Sequence, residues 1–169
     1  DMPVGAFIPS WGEGVRAGVT LRHLLSHTSG LAIGHDEKRS VGNVPDKSKY
    51  VIGLVPEFTP GTRFSYSNEG VQLLSPILEK AAGEPLWKYA ERRLFRPIGM
   101  PESILRVSDG DSLTFADMLL TPQEFARLGQ LMINGGTWEG ERILGEWWVR
   151  QLTTRAQPFD ASCGLLWWL

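Results

Sequence analysis

Glycine and proline interrupt this chain so often that only short helices and strands fit between them: 19 Gly and 11 Pro stand among 169 residues. Gly supplies the left-handed backbone that ends a helix or turns a hairpin, and Pro removes a backbone donor. No repeat or low-complexity tract overrides this segmentation. With 42% hydrophobic and 21% charged residues, the chain falls among water-folding globular sequences and outside the disordered and coiled-coil classes. Its length suits one domain, residues 1–169, with a core of its own.

Read between these breaks, the pattern is mostly helical. Thr20 is an N-cap candidate for a short helix through Leu21, Leu24 and Leu25 that stops at Ser29-Gly30. Residues 34–49 are polar and punctuated, and read as a surface loop of the kind that rims a site. Pro60-Gly61 marks a turn, Arg63 to Tyr66 an extended piece, and Ser67 or Asn68 the cap of a helix with Val71, Leu74, Ile77, Leu78 and Ala81 on its apolar face. Pro76 should kink that helix and Gly83 should end it. Pro85 opens the next, with Leu86, Tyr89, Leu94 and Phe95 inward and Arg92, Arg93 and Arg96 outward, closed by Pro97 and Gly99.

Thr121-Pro122-Gln123-Glu124 is a capping box with Pro at the first helical position, followed by Phe125, Leu128, Leu131, Met132 and Ile133 at helical spacing up to Gly135-Gly136. Residues 137–143 carry Gly140 between two short arms and read as a small hairpin, before a last helix with Trp147, Trp148, Val149 and Leu152. The final stretch, Cys163 to Leu169, reads as a buried strand with an open edge.

Charge and composition exclude several classes of function. A formal net charge of −2 supplies no electrostatic reason to bind nucleic acid or anionic lipid. The longest apolar runs fall far short of the roughly 18 residues of a membrane helix. The single cysteine, Cys163, rules out an internal disulfide and a Cys-based zinc site, and leaves the compartment open. His23 and His27 are four apart on the expected first helix, but no third ligand at a suitable spacing accompanies them. They read as partners of local backbone near a helix end, so no metal or other cofactor is expected.

The patterns of an activated serine are absent as well. No Gly-x-Ser-x-Gly occurs, and no serine has a lysine three residues later. Tyr66-Ser67-Asn68 is more informative, because residues two apart in an extended segment project to the same side. A phenol and a carboxamide would then converge just before a helix. A phenol, with an ordinary pKa near ~10, serves as a base at neutrality only where cations stabilise the phenolate. Within this chain Lys47 and Lys49 are the candidates for that role. An aromatic core residue followed by an N-cap would produce the same tripeptide.

Three segments together go further. Leu21-Arg-His-Leu-Leu-Ser-His-Thr-Ser-Gly-Leu31, Pro60-Gly-Thr-Arg-Phe-Ser-Tyr-Ser-Asn68 and Leu94-Phe-Arg-Pro-Ile-Gly-Met100 closely resemble the serine β-lactamase family of class C type, which also includes D-alanyl-D-alanine carboxypeptidases, D-aminopeptidases and esterases. The resemblance extends through Phe125-Ala-Arg-Leu-Gly-Gln to Gly164-Leu-Leu-Trp-Trp. It implies that Tyr66 and Asn68 form the family's catalytic Tyr-x-Asn element, Tyr66 taking or relaying the nucleophile's proton and Asn68 orienting the substrate amide. The family's Ser-x-x-Lys helix would precede Asp1 and its Lys/His-Thr/Ser-Gly strand would follow Leu169. His27-Thr28-Ser29-Gly30 has one residue too many for that strand motif and reads as structural.

The expected fold class is therefore mainly α: the helical portion of the β-lactamase/transpeptidase-like α/β fold, with short β pieces and most of the antiparallel sheet outside the chain. The expected function is that of the central segment of a hydrolase that acts through an acyl-enzyme on a small lactam, D-amino acid peptide or ester, without its nucleophile and inactive alone. The alternative is a stand-alone, non-catalytic helical module that binds a partner or ligand. Apolar faces left uncovered by the sheet would favour self-association through Leu165, Leu166, Trp167 and Trp168. Likeness to cell-wall enzymes implies a periplasmic or extracellular location, and likeness to esterases a cytoplasmic one.

Overall fold

The computed structural model describes residues 1–31 and 40–169. Among these the helices are α1 (Leu21–Leu25), α2 (Lys47–Gly53), α3 (Asn68–Gln72), α4 (Leu74–Ala82), α5 (Leu86–Ala90), α6 (Pro122–Ile133) and α7 (Glu146–Leu152). The strands pair only as two-residue antiparallel ladders: β1 (Ile104–Leu105) with β4 (Met118–Leu119), β2 (Val107–Ser108) with β3 (Asp111–Ser112), and β5 (Thr137–Trp138) with β6 (Glu141–Arg142). Helices are the principal regular elements, yet turns and irregular segments join them throughout, so mainly α describes the chain only loosely.

The larger core gathers residues from the first half of the chain. Trp11, Val19, Leu24, Leu31, Val51 and Leu73 meet there, each 1% exposed or less. Trp11 lies in one of three short 3-10 turns and donates its indole N–H to the Ile52 carbonyl at 2.9 Å. Arg16 supplies donors to the Gly53 and Leu54 carbonyls at the end of α2, where cationic donors satisfy otherwise orphan acceptors. A second core packs Leu131 of α6 on Phe95, Ile98 and Met100.

The hinge in the central helix follows from Pro76. Pro76 lacks the N–H that would reach the Gln72 carbonyl, and the helix divides at Leu73 into α3 and α4. Gly83 ends α4 in the left-handed conformation at φ +70°. Of the expected apolar face, Val71, Leu74 and Ile77 are buried, whereas Leu78 is 40% exposed and Ala81 is also exposed. After α5 the chain continues as a π-type turn, Glu91–Phe95, whose widened backbone lets the Arg96 N–H reach Glu91 O. Leu86 and Phe95 are buried as expected, but Tyr89 is exposed.

The Thr121 capping box forms as read, with Thr121 Oγ1 accepting the Glu124 N–H and the Glu124 carboxylate accepting the Thr121 N–H. In α6 Leu131 turns inward, while Phe125 and Ile133 stand 67% and 80% exposed. The hairpin at Gly140 also forms. Glu139 at φ +47° and Gly140 at φ +88° are both left-handed, as the tight two-residue turn between twisted strands requires. Asp109-Gly110 repeats the arrangement between β2 and β3.

Three expectations need correction. The first helix stops at Leu25 rather than at Ser29-Gly30; His27, at φ +54°, takes a left-handed conformation just past its end, and Gly30, at φ +83°, takes one further on. Of the loop expected over 34–49, residues 34–39 lie outside the described residues, and Lys47 onward is helical because the Asp46 side chain accepts the Lys49 N–H and caps α2. Residues 163–169 are a tight reversal and not an open-edged strand. Leu166 at φ +56° turns the chain, Gly164 donates to Trp167 O, and Leu169 donates back to Ser162 O. The reversal buries Leu165 at 2% exposure, which withdraws it from any surface, and leaves Trp168 61% exposed.

Candidate active site

The site is built on a backbone seam whose residues 27–30 are buried. Residues 27–30 run beside residues 57–67: the Glu57 N–H donates to Gly30 O, Gly61 to Thr28 O, and Ser65 to His27 O, all at 2.8 Å. Close approach depends on Gly30, at φ +83°, where a Cβ would lie 2.4 Å from Phe58 O. Thr28 and Ser29 are buried within the seam. Reading His27-Thr28-Ser29-Gly30 as structural rather than as a catalytic strand agrees with this placement.

The seam delivers Tyr66-Ser67-Asn68 to the start of α3. Ser67 is extended, at φ −145° and ψ 110°, and its hydroxyl accepts the Gly70 N–H at 2.9 Å as the N-cap. Of the two expected caps, Ser67 is therefore the one used. Gly70 eases this close packing, since a Cβ there would stand 3.3 Å from both Ser29 Oγ and Ser67 Oγ. Asn68 is the first residue of α3 and is half-buried.

Tyr66 lies between two rings. His27 packs on it with centroids 4.5 Å apart, and Trp168 is stacked at 6.2 Å. It is 38% exposed and borders a cavity of about 150 Å³ with His27, Thr114, Phe115, Cys163 and Leu166. Asn68 is not among the residues lining that cavity. A larger cavity of about 450 Å³, between Val15, Gly18 and residues 56–60, offers Glu57 as its one ionisable side chain and is remote from the Tyr-x-Asn segment in the seam.

Two other polar groups at the Tyr66 cavity are already engaged. Thr114 Oγ1 donates to Val71 O at 2.8 Å, and the Cys163 thiol faces Gly164 O at 3.3 Å. Burial first, and the Asp160 carboxylate second, push the Cys163 thiol up, so it is a poor source of thiolate. Lys47 donates its ammonium to Val44 O and Ser108 Oγ and does not line the cavity. The Tyr66 phenol and the His27 imidazole are thus the ionisable rings at this cavity.

The two histidines have separate duties. His23 Nδ1 accepts the Thr20 N–H at 3.2 Å and completes the cap of α1, the local role that the sequence suggests. Burial lowers its pKa, opposed by a hydrogen bond to the Gly18 backbone. His27 lies beyond the end of α1 and does not share a helix face with His23. Its Nδ1 accepts the Ser67 N–H at 3.2 Å, a partner 40 residues away rather than a local one. Burial pushes its pKa down to about 4, so the ring is a neutral acceptor at pH 7. Among the described residues no group of three His, Cys, Asp or Glu side chains is placed to hold a metal ion. No helix among them is long and apolar enough to cross a membrane.

Comparison with known proteins gives the family. The Beta-lactamase family model matches residues 1–169, and the chain belongs to that family. Penicillin-binding protein 4* of Bacillus subtilis (strain 168) is 37% identical over 94 residues, which covers 51% of this chain and 21% of that protein. The D-alanyl-D-alanine-carboxypeptidase/endopeptidase AmpH of Escherichia coli (strain K12) is 31% identical over 107 residues, 60% of this chain and 27% of the relative. The solved structure of a D-stereospecific amidohydrolase from Streptomyces shares the fold with a TM-score of 0.74 at 20% identity, over 98% of this chain and 62% of the other. The matched part thus spans about a quarter of the length of these curated relatives.

Proposed function

We propose that this chain is the part of a β-lactamase-family hydrolase that carries the Tyr-x-Asn element, and that the whole enzyme hydrolyses a lactam, a D-amino acid peptide or an ester through an acyl-serine intermediate. The observation that carries the reading is the setting of Tyr66. In a segment that matches the family's motif, its phenol borders a cavity while its ring is held between His27 and Trp168. Tyr66 takes the proton of the attacking serine and passes it to the leaving group. Asn68, two residues on across the extended Ser67, orients the acyl amide or carbonyl of the substrate.

The nucleophile comes from a segment outside these residues, since no serine here is followed by lysine at the third position. Penicillin-binding protein 4* and AmpH supply the substrate classes to try first, a penicillin and a D-alanyl-D-alanine peptide. The test is intact-mass analysis after exposure to a penicillin, followed by peptide mapping. The 169-residue chain is expected to stay unmodified, and the whole enzyme to carry one penicilloyl group on a serine outside residues 1–169. A penicilloyl group mapped to any of the serines of this chain would refute the assignment.

A further inference from the structure

We propose that His27 is the positioning residue of the Tyr-x-Asn element: it grips the backbone on both sides of Tyr66 and floors the phenol ring, fixing where the hydroxyl points before substrate arrives. This rests on the reading of Tyr66 given above and adds to it a residue that no proton-transfer role requires.

The geometry is specific. The His27 carbonyl accepts the Ser65 N–H at 2.8 Å, and His27 Nδ1 accepts the Ser67 N–H at 3.2 Å. One residue therefore binds the amides immediately before and after Tyr66, and its ring lies 4.5 Å from the Tyr66 ring at an interplanar angle of 31°. Phe64 also meets the imidazole in an edge-to-face contact, with ring centroids 5.8 Å apart. His27 accepts at both points from a left-handed backbone, φ +54°, an uncommon conformation for a residue with a side chain. A histidine kept merely as filler would need neither that conformation nor an acceptor aimed at Ser67.

Chemistry selects the protonation state. Nδ1 can accept only when it carries no proton, so the ring must be the neutral tautomer with its proton on Nε2. Burial at 3% exposure favours that neutral form. The arrangement holds the loop without adding a charge beside the phenol.

The test uses two substitutions in the whole enzyme. His27→Asn retains a short acceptor near the Nδ1 position and tolerates left-handed backbone, whereas His27→Phe retains a ring against Tyr66 and removes the acceptor. Amide exchange at Ser67 is expected to quicken by about ten-fold or more in His27→Phe and to stay close to wild type in His27→Asn. With nitrocefin or p-nitrophenyl butyrate as substrate, kcat is expected to fall on the order of 10- to 100-fold in His27→Phe at nearly unchanged KM, with most of it recovered in His27→Asn. The wild-type imidazole nitrogen spectrum, which needs no variant to fold, should show the Nε2–H tautomer. A proton on Nδ1, or equal Ser67 exchange in wild type and His27→Phe, would overturn the positioning role. Loss of Ser67 protection in His27→Phe together with full turnover by Tyr66→Phe would instead refute the reading of Tyr66 and leave His27 as the clamp of the loop.

Discussion

Gln72 and Thr114 are joined by a buried amide that is satisfied at both ends. Gln72 Oε1 accepts the Thr114 N–H at 3.1 Å and its hydroxyl at 3.2 Å, while Gln72 Nε2 donates to Ser112 O at 3.0 Å. Gln72 is the last residue of α3 and is fully buried, so this contact ties the helix that begins at Asn68 to the strand end that carries Thr114 and Phe115 to the cavity. The opposite wall of the site is thereby fixed to the same helix as the Tyr-x-Asn segment.

Replacing Gln72 with leucine would keep the volume and leave the Ser112 carbonyl and the Thr114 N–H without this partner, while the Thr114 hydroxyl keeps Val71 O. Each buried group left unpaired costs about 1–3 kcal/mol. With partial relaxation, Gln72→Leu is expected to destabilise the chain by about 2–4 kcal/mol, read from the shift of the urea unfolding midpoint at unchanged slope. A change below about 0.5 kcal/mol would mean that the 112–115 segment is held by other contacts.

Acid should weaken the fold in a defined window. Burial lowers the His27 pKa from 6.5 to about 4, so the unfolded chain binds more protons than the folded one between those values. Stability from this group is complete above pH 6.5 and is lost on acidification towards pH 4, by up to about 1.4 kcal/mol per pH unit. His23 acts in the same direction. Glu124, held below the ordinary carboxylate range first by the Thr121 N–H, adds a loss at still lower pH. Urea midpoints at pH 7, 6 and 5 should fall, and the fall should be shallower in His27→Asn. An identical pH slope in the two proteins would contradict the buried neutral imidazole.

Two left-handed glycines separate backbone strain from collision. Gly83 at φ +70° ends α4 in open space, so Gly83→Ala should cost about 1 kcal/mol from conformation alone. At Gly30 the same substitution adds a clash with Phe58 O, and a loss greater than about 3 kcal/mol is expected as the seam is forced apart. Thermal or urea unfolding of the pair checks this, and equal effects would mean that the seam can yield.

Features with local causes were legible in the sequence. The Thr121–Glu124 capping box, the Gly83 stop and the Glu139-Gly140 turn are each decided within a few residues, and each stands where the pattern puts it. The break at Leu73 follows as directly from Pro76. Longer-range relations left no such trace. His27 looks like a helix-end residue until the chain brings Ser67 to it from 40 positions away. Leu166 turns the chain in a left-handed conformation without a Gly or Asn to mark it, and its N–H is held by Leu25 O. Helical spacing placed Phe125 and Ile133 on a helix correctly but could not say which face a neighbour covers. Start signals for α2 were present, in Asp46 three residues before Lys49, and polarity obscured them.

The proton-carrying role proposed for the Tyr66 phenol is tested most directly by the rate of penicillin acylation of the whole enzyme with tyrosine or phenylalanine at this position. Removing the hydroxyl while keeping the ring between His27 and Trp168 should leave the fold intact and lower the acylation rate by about 10²- to 10⁴-fold, the range of a lost general base. A Tyr66→Phe enzyme that is acylated at the wild-type rate would contradict it.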